Sequence, residues 1–239
     1  MYARPKIDGE QATLGVSGML WKDSLVMYDR KTRSLWSQVN GKAVAGPRAG
    51  EQLQQIPSEE TTWKQWKTRH PNTLVLVKPP LDGSAYSRYE AAPDQIGVLG
   101  TKNPDKRLEG KELVFGMMIQ NKAAAVPLST LAQTQVLNAE ISGRPIVVFS
   151  PSGERAVLAY ERAVGARVLS FEPVSGEKDF AVRETSTGDR WSWEDGACLK
   201  GTCDGQKLRP IPGVSVYWGV WAQFHPGSAI LGALQKPRQ

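Results

Sequence analysis

Apolar residues in this chain come in short runs divided by turn residues, a pattern of strands rather than of long helices. Residues 12–28 (ATLGVSGMLWKDSLVMY) predict two strands, with breaks at Gly18 and at Lys22-Asp23-Ser24. Asp29 to Thr32 form a polar turn into Leu35-Trp36, and Asn40-Gly41 is a strong two-residue hairpin signal. Gln52 to Ile56 predict a strand that ends at Pro57. Thr61 or Thr62 then caps a short helix that places Trp63, Trp66 and His70 on one face, and Pro71 stops it. Leu74 to Val77 read as the next strand. Further on, 113–119 and 145–149 predict strands, Leu128 to Leu137 a helix, and Ser142-Gly143 a turn.

The spacing W-x-x-W-x-x-x-H-P occurs twice, at 63–71 and at 218–226. A shift of 155 positions aligns 32–76 with 187–231 without a gap and gives 14 identities, mostly Trp, Gly, Pro and His. Composition alone would give roughly three. The expectation is an α+β protein, predominantly β and internally duplicated, with short helices packed on the sheets by their tryptophans. Its parts are a first unit at 1–77, shortened at its front, a Pro- and Gly-rich linker at 78–112, and a second unit at 113–239. A shortened unit leaves a sheet edge or apolar face uncovered, so a homodimer or a compensating contact from the second unit is expected.

Composition adds mainly exclusions. With 40% hydrophobic and 23% charged residues the chain is ordinary globular material. The net charge of +6 is spread along the sequence without a basic arm, which argues against nucleic acid as the partner. No stretch is apolar enough to span a membrane, and the opening MYARPKIDGEQ has no apolar leader, so the chain as written reads as cytoplasmic. Cys198 and Cys203 are the sole cysteines; they are weak candidates for a metal site and otherwise two free thiols or a local staple. Their counterparts in the first unit are Ala43 and Arg48.

The stretches GVSGML (15–20), LVMYDRKTRSLWSQ (25–38), GKAVAGPRAG (41–50) and TTWKQWKTRHPNTLVL (61–76) resemble the bacterial and archaeal domain-of-unknown-function family 3179. LVFGMMIQNKAAAVPLSTL (113–131) and LNAEISGRPIVVF (137–149) resemble that family's module of a strand, a proline-leucine helix and a strand. The resemblance implies a Cys-Pro-Leu-Cys stretch upstream of the segment matching GVSG; this chain starts after that point and carries Ser150-Pro151-Ser152-Gly153 at the equivalent place in the second unit. It also implies an exported or membrane-anchored setting for a longer form. It implies no reaction.

Established catalytic signatures are missing: GVSG is not a nucleophile elbow, and the S-x-x-K match at Ser175 to Lys178 lacks its companion K-T-G. No recognised motif requires a cofactor. The most site-like cluster is Tyr28, Asp29, Arg30, Ser34, Trp36 and Gln38, where charge-assisted hydrogen bonds and an apolar wall would hold a polar ligand. The same residues also suit a braced β-turn. Two functional readings follow. One is a binding or accessory domain for a small molecule, a glycan or a metal-bearing protein partner. The other is a hydrolase that uses Asp29 with Ser17 or Ser37 and His70 as base. Asp82, Tyr86, Arg88 and Tyr89 in the linker are secondary candidates.

Overall fold

The computed structural model describes residues 1–77, 89, 91–92, 95–97, 101–151, 156–175 and 180–232. It is a β-rich α+β protein with three short helices among the described residues. Near the start of the chain, β1 (Lys6–Ile7) and β2 (Glu10–Gln11) form a small ribbon. An antiparallel sheet then runs in sequence order through β3 (Leu14–Trp21), β4 (Ser24–Asp29), β5 (Leu35–Ser37) and β6 (Ala43–Ala45). The core beside this sheet is small: Trp36, Ala43 and Leu53 are buried, with Tyr2, Leu14 and Met27 packed around them. Helix α1 (Trp63–Arg69) follows.

Residues 113–232 hold the remaining elements. Strands β7 (Leu113–Ile119), β8 (Lys122–Pro127), β19 (Gly213–Tyr217) and β20 (Ala229–Ile230) form one sheet in the order β19-β7-β8-β20, in which β20 runs parallel to β8. A second sheet, in the order β18-β11-β10-β9, contains β9 (Val136–Ile141), β10 (Arg144–Phe149), β11 (Leu158–Glu161) and β18 (Arg209–Ile211). Between β8 and β9 lies helix α2 (Leu128–Thr134). The ribbon of β12 (Ala163–Val164) and β13 (Arg167–Val168) leads into a third sheet of β14 (Phe171–Pro173), β15 (Val182–Glu184), β16 (Arg190–Trp191) and β17 (Cys198–Lys200). Helix α3 (Trp218–Phe224) packs on the first of these sheets.

Strand alternation explains the layering. On β10, Ile146 and Val148 face a core with Phe115, Met117 and Val126, while Val147 and Phe149 face another with Phe171, Val182 and Trp191. A strand buried on both faces reads as an unbroken apolar run, which is what RPIVVF is.

Hydrogen bonds recur at the spacing found in the sequence. Gly41 N–H donates to Ser37 O and Gly196 N–H to Ser192 O; Leu53 N–H donates to Gly41 O and Leu208 N–H to Gly196 O. Glycine is required at one such place, because a Cβ on Gly46 (φ +91°) would strike Ser34 and one on Gly201 (φ +126°) would strike Asp189. Tyr2 bridges Gln55, as Tyr160 pairs with Pro210. The hydroxyls of both tyrosines donate to a turn carbonyl, Val39 O for Tyr2 and Trp193 O for Tyr160.

Four expectations need correction. Leu74 to Val77 form no strand and stand exposed, because no described residue offers them a ladder. The first helix is capped as expected, with Thr62 and Gln65 in a reciprocal capping box, yet it buries none of its residues and its tryptophans anchor it on nothing. The helix at 128 ends at Thr134 instead of Leu137, because Gln135 turns to φ +59° and Val136 enters β9. The segment 52–56 is reduced to isolated bridges at Gln52 and Gln55.

Candidate functional site

Asp29 closes β4 and starts the turn to β5, where Arg33 adopts φ +64°. Its buried carboxylate accepts from Thr32 N–H at 2.5 Å, Thr32 Oγ1 at 2.7 Å, Ser34 N–H at 3.1 Å and Trp36 Nε1 at 3.1 Å. Burial alone would raise the Asp29 pKa, but these donors outweigh it and hold the carboxyl below its ordinary value. Ser34 Oγ is engaged too, accepting from Arg48 N–H at 3.0 Å. A similar turn recurs 155 positions on with one more methylene: Glu184 accepts from Thr187 N–H at 2.7 Å, Thr187 Oγ1 at 2.9 Å and Ser186 N–H at 3.0 Å. Both carboxylates serve their own turns.

The other candidates lie around this turn without converging on it. Arg30 donates to Tyr28 Oη at 3.0 Å, and Arg33 lies 4.4 Å from the centre of the Tyr28 ring. Gln38 is exposed and Trp36 is core. Ser17 Oγ donates to Val26 O at 2.5 Å, and Ser37 Oγ is buried without a partner. His70 is exposed and lies 4.1 Å from Trp66, ring to ring. Among the described residues no hydrogen bond links Asp29 to Ser17, Ser37 or His70. Cys198 and Cys203 are joined in a disulfide with a Cα–Cα distance of 5.7 Å, so neither supplies a thiolate. No group of three or more His, Cys, Asp or Glu among the described residues is arranged to hold a metal. Asp82, Tyr86, Arg88 and most of the S-x-x-K match lie outside the described residues, while Tyr89 donates its hydroxyl to Ile96 O at 2.9 Å.

Concave space lies elsewhere. Two adjoining hollows of about 470 and 450 Å³ share Met118, Asn121 and His225 in their walls. One is completed by Lys122, Glu140 and Ser142. The other joins Tyr2, Asn40, Gln52 and Gln55 to Met117 and Trp221. Asn121 sits in the two-residue β7–β8 turn, where Gln120 and Asn121 have φ +48° and +62°; Asn tolerates this region better than most residues. Its side-chain amide makes no hydrogen bond within the described residues. Gln52 Nε2 donates to Asn40 O at 2.5 Å and Gln55 Nε2 to Gly213 O at 3.0 Å, which leaves both amide oxygens as acceptors.

His225 ends α3, its N–H donating to Trp221 O at 2.9 Å and its ring 4.0 Å from that of Trp221. Burial, aided by the charge of Lys22, lowers its pKa, so the imidazole is neutral at pH 7. Lys22 is held nearby by donating to Gln223 O at 2.7 Å, at the negative end of the helix.

Sequence reasoning reads His225 as a helix terminator and passes over Asn121. The Gln-Asn pair between two alternating strands was a usable signal for the turn. Nothing local announces that Tyr2 and Gln52 lie beside Met118.

No curated protein and no solved structure matches this chain. A family model described as "Protein of unknown function (DUF3179)" matches residues 1–228, and the chain therefore belongs to that family.

Proposed function

We propose that this chain is a non-catalytic binding module whose ligand is a small, polar, uncharged molecule of the saccharide class, held in the double hollow around His225. The carrying observation is the wall the two hollows share: a neutral imidazole, a free amide on Asn121 and the Met118 side chain, with acceptor oxygens of Gln52 and Gln55 nearby. Neutral donors and acceptors beside apolar surface suit hydroxyl-rich ligands, and the one charged pair in the lining, Lys122 and Glu140, cancels. The hydrolase alternative finds no support in the geometry, since Asp29 has spent its lone pairs on its own turn and no base adjoins Ser17 or Ser37. For the same reason the Asp29 cluster is weaker as a ligand site than the hollows.

Two further proposals accompany this one. The recurrence of hydrogen bonds at a shift of 155 supports reading 1–77 and 113–239 as related units. The Cys198–Cys203 disulfide favours an oxidising, extracytoplasmic setting; no helix among the described residues is long and apolar enough to cross a membrane.

The test is calorimetric titration of mono- and disaccharides into the native chain and into Asn121→Gly, which keeps the turn and removes the amide. At least one sugar should bind saturably and lose about tenfold in affinity in the variant, equivalent to ~1.4 kcal/mol. A panel with no saturable binding, or binding indifferent to Asn121, would reject the reading.

A further inference from the structure

Helices α1 and α3 share a length, a tryptophan spacing and a terminating histidine whose backbone agrees within a few degrees, at φ −127°, ψ 70° and φ −131°, ψ 68°. Even their indole partners correspond, Trp66 Nε1 donating to Thr73 Oγ1 and Trp221 Nε1 to Ser228 Oγ. Their surroundings differ completely. The β7–β8 hairpin covers α3: Gly116 lies so close under Trp221 that a Cβ there would come within 2.5 Å of the ring, and the chain after the helix pairs in parallel with β8 through Ala229 and Ile230. Among the described residues no such hairpin lies over α1. Trp63 is 50% and Trp66 36% exposed, and the residues matching Ala229 and Ile230, Leu74 and Val75, are 97% and 61% exposed, followed by exposed Leu76 and Val77.

Several observations define what fits this face. It is continuous with an interface between the units, since Arg69 at the end of α1 pairs with Glu59 at 2.8 Å and Glu194 at 3.1 Å and lies 5.7 Å from the Trp193 ring. Lys64 and Lys67 stand where the second helix has buried Gly219 and Ala222, so one flank of the cover must be acidic where the other helix has a neutral one. The β7–β8 hairpin of a second copy could not serve, because β8 is already flanked by β7 and β20.

We propose that the α1–Leu74 face is the docking site for a β-hairpin carried by polypeptide outside residues 1–239. One of its strands runs parallel to Leu74–Val77, a glycine or alanine meets Trp66, and carboxylates lie beside Lys64 and Lys67. In the second unit the corresponding strands precede Tyr160, whose place in the first unit is held by Tyr2. Docking would wall a second hollow around His70 as β7–β8 walls the one around His225. The proposal rests on the two helices and is independent of the ligand in the existing hollows.

The experiment adds residues 112–158 a second time, joined ahead of Met1 of the full chain, and follows hydrogen exchange of residues 63–77. The amides of 74–77 should gain at least about tenfold protection over the native chain, and Val75→Asp within the fusion should abolish the gain. A synthetic peptide copying residues 112–127 gives a second reading on the native chain, with saturable quenching of tryptophan fluorescence that is lost in Trp66→Ala. Absence of both effects overturns the proposal. So does protection of 74–77 in the native chain alone that rises with concentration and is lost in Val75→Asp, which would assign the face to a second copy. Co-sedimentation of the native chain with phosphatidylserine vesicles, abolished by Trp63→Ala and unaffected by the peptide, would overturn it in favour of a membrane surface.

Discussion

The helices at 63–69 and 218–224 were built from one local pattern, yet the first buries none of its residues and the second buries five. Neighbours account for the difference. A seven-residue helix is marginal on its own, and the two are held at their starts by different means. The first caps itself through Thr62 and Gln65. The second has no side-chain cap, and Trp218 N–H and Gly219 N–H donate instead to Glu112 O at 2.8 Å and Gly110 O at 2.9 Å, carbonyls supplied by the chain before β7. A covered helix can borrow its cap from the tertiary structure, whereas a bare one must encode it.

The sharpest way to break this comparison is to remove the same indole from each helix. Trp221→Ala should lower stability by about 3–5 kcal/mol, as expected for a buried tryptophan, while Trp66→Ala should stay within about 1 kcal/mol. Urea unfolding of the two variants checks this, and equal losses would mean that α1 is covered in solution. Next in size is the staple found in the second unit. Cys198→Ser closes no loop and should cost roughly 2 kcal/mol by chain entropy, which thermal unfolding with and without reductant would register; the first unit, with Ala43 and Arg48 at those places, has nothing to lose.

The turn carboxylates should behave alike. Asp29→Asn and Glu184→Gln each disturb a buried acceptor and should cost about 1–3 kcal/mol at neutral pH. Both carboxyls titrate below their ordinary values in the folded chain because backbone and hydroxyl donors outweigh burial. Their contribution is therefore complete above the unfolded carboxylate pKa, about 4, and is lost as pH falls through the depressed folded values. Either substitution should flatten that acid limb in a stability profile. The smallest effect concerns His225. Its folded pKa is lowered by burial, so the unfolded chain binds more protons; stability should be full above about pH 6.5 and fall as pH drops toward the folded value. A His225→Gln variant should lose that dependence, and a profile unchanged by it would place the titration elsewhere.

Much of the fold was legible because its signals are local. Alternation located β3, β4 and β7, Asn40-Gly41 located the β5–β6 turn, and a cap at Thr61 or Thr62 located the start of α1. The strand expected at 74–77 was misread for a physical reason: β propensity describes how well a residue fits beside a neighbouring strand, and no described residue stands beside this run. The hollow around His225 was illegible for a related reason. Its walls join Tyr2 and Gln52 to Met118 and His225, and no pattern along a single chain encodes contacts over such separations. The Asp29 cluster had the opposite fate, visible at once because its residues adjoin in sequence, which is also why they can satisfy one another.

The bond from Lys22 to the carbonyl of Gln223 spans 201 positions. During synthesis the tip of the β3–β4 hairpin first gains Thr101, which donates to Asp23, and gains Gln223 only when nearly the whole chain has emerged, so this closure is one of the last events of folding. Helix α3 emerges after the β7–β8 hairpin that covers it, whereas the tryptophans of α1 and the run 74–77 are exposed even in the finished fold. A chain in synthesis therefore shows apolar surface at 63–77 from its emergence onward, a place where aggregation can start.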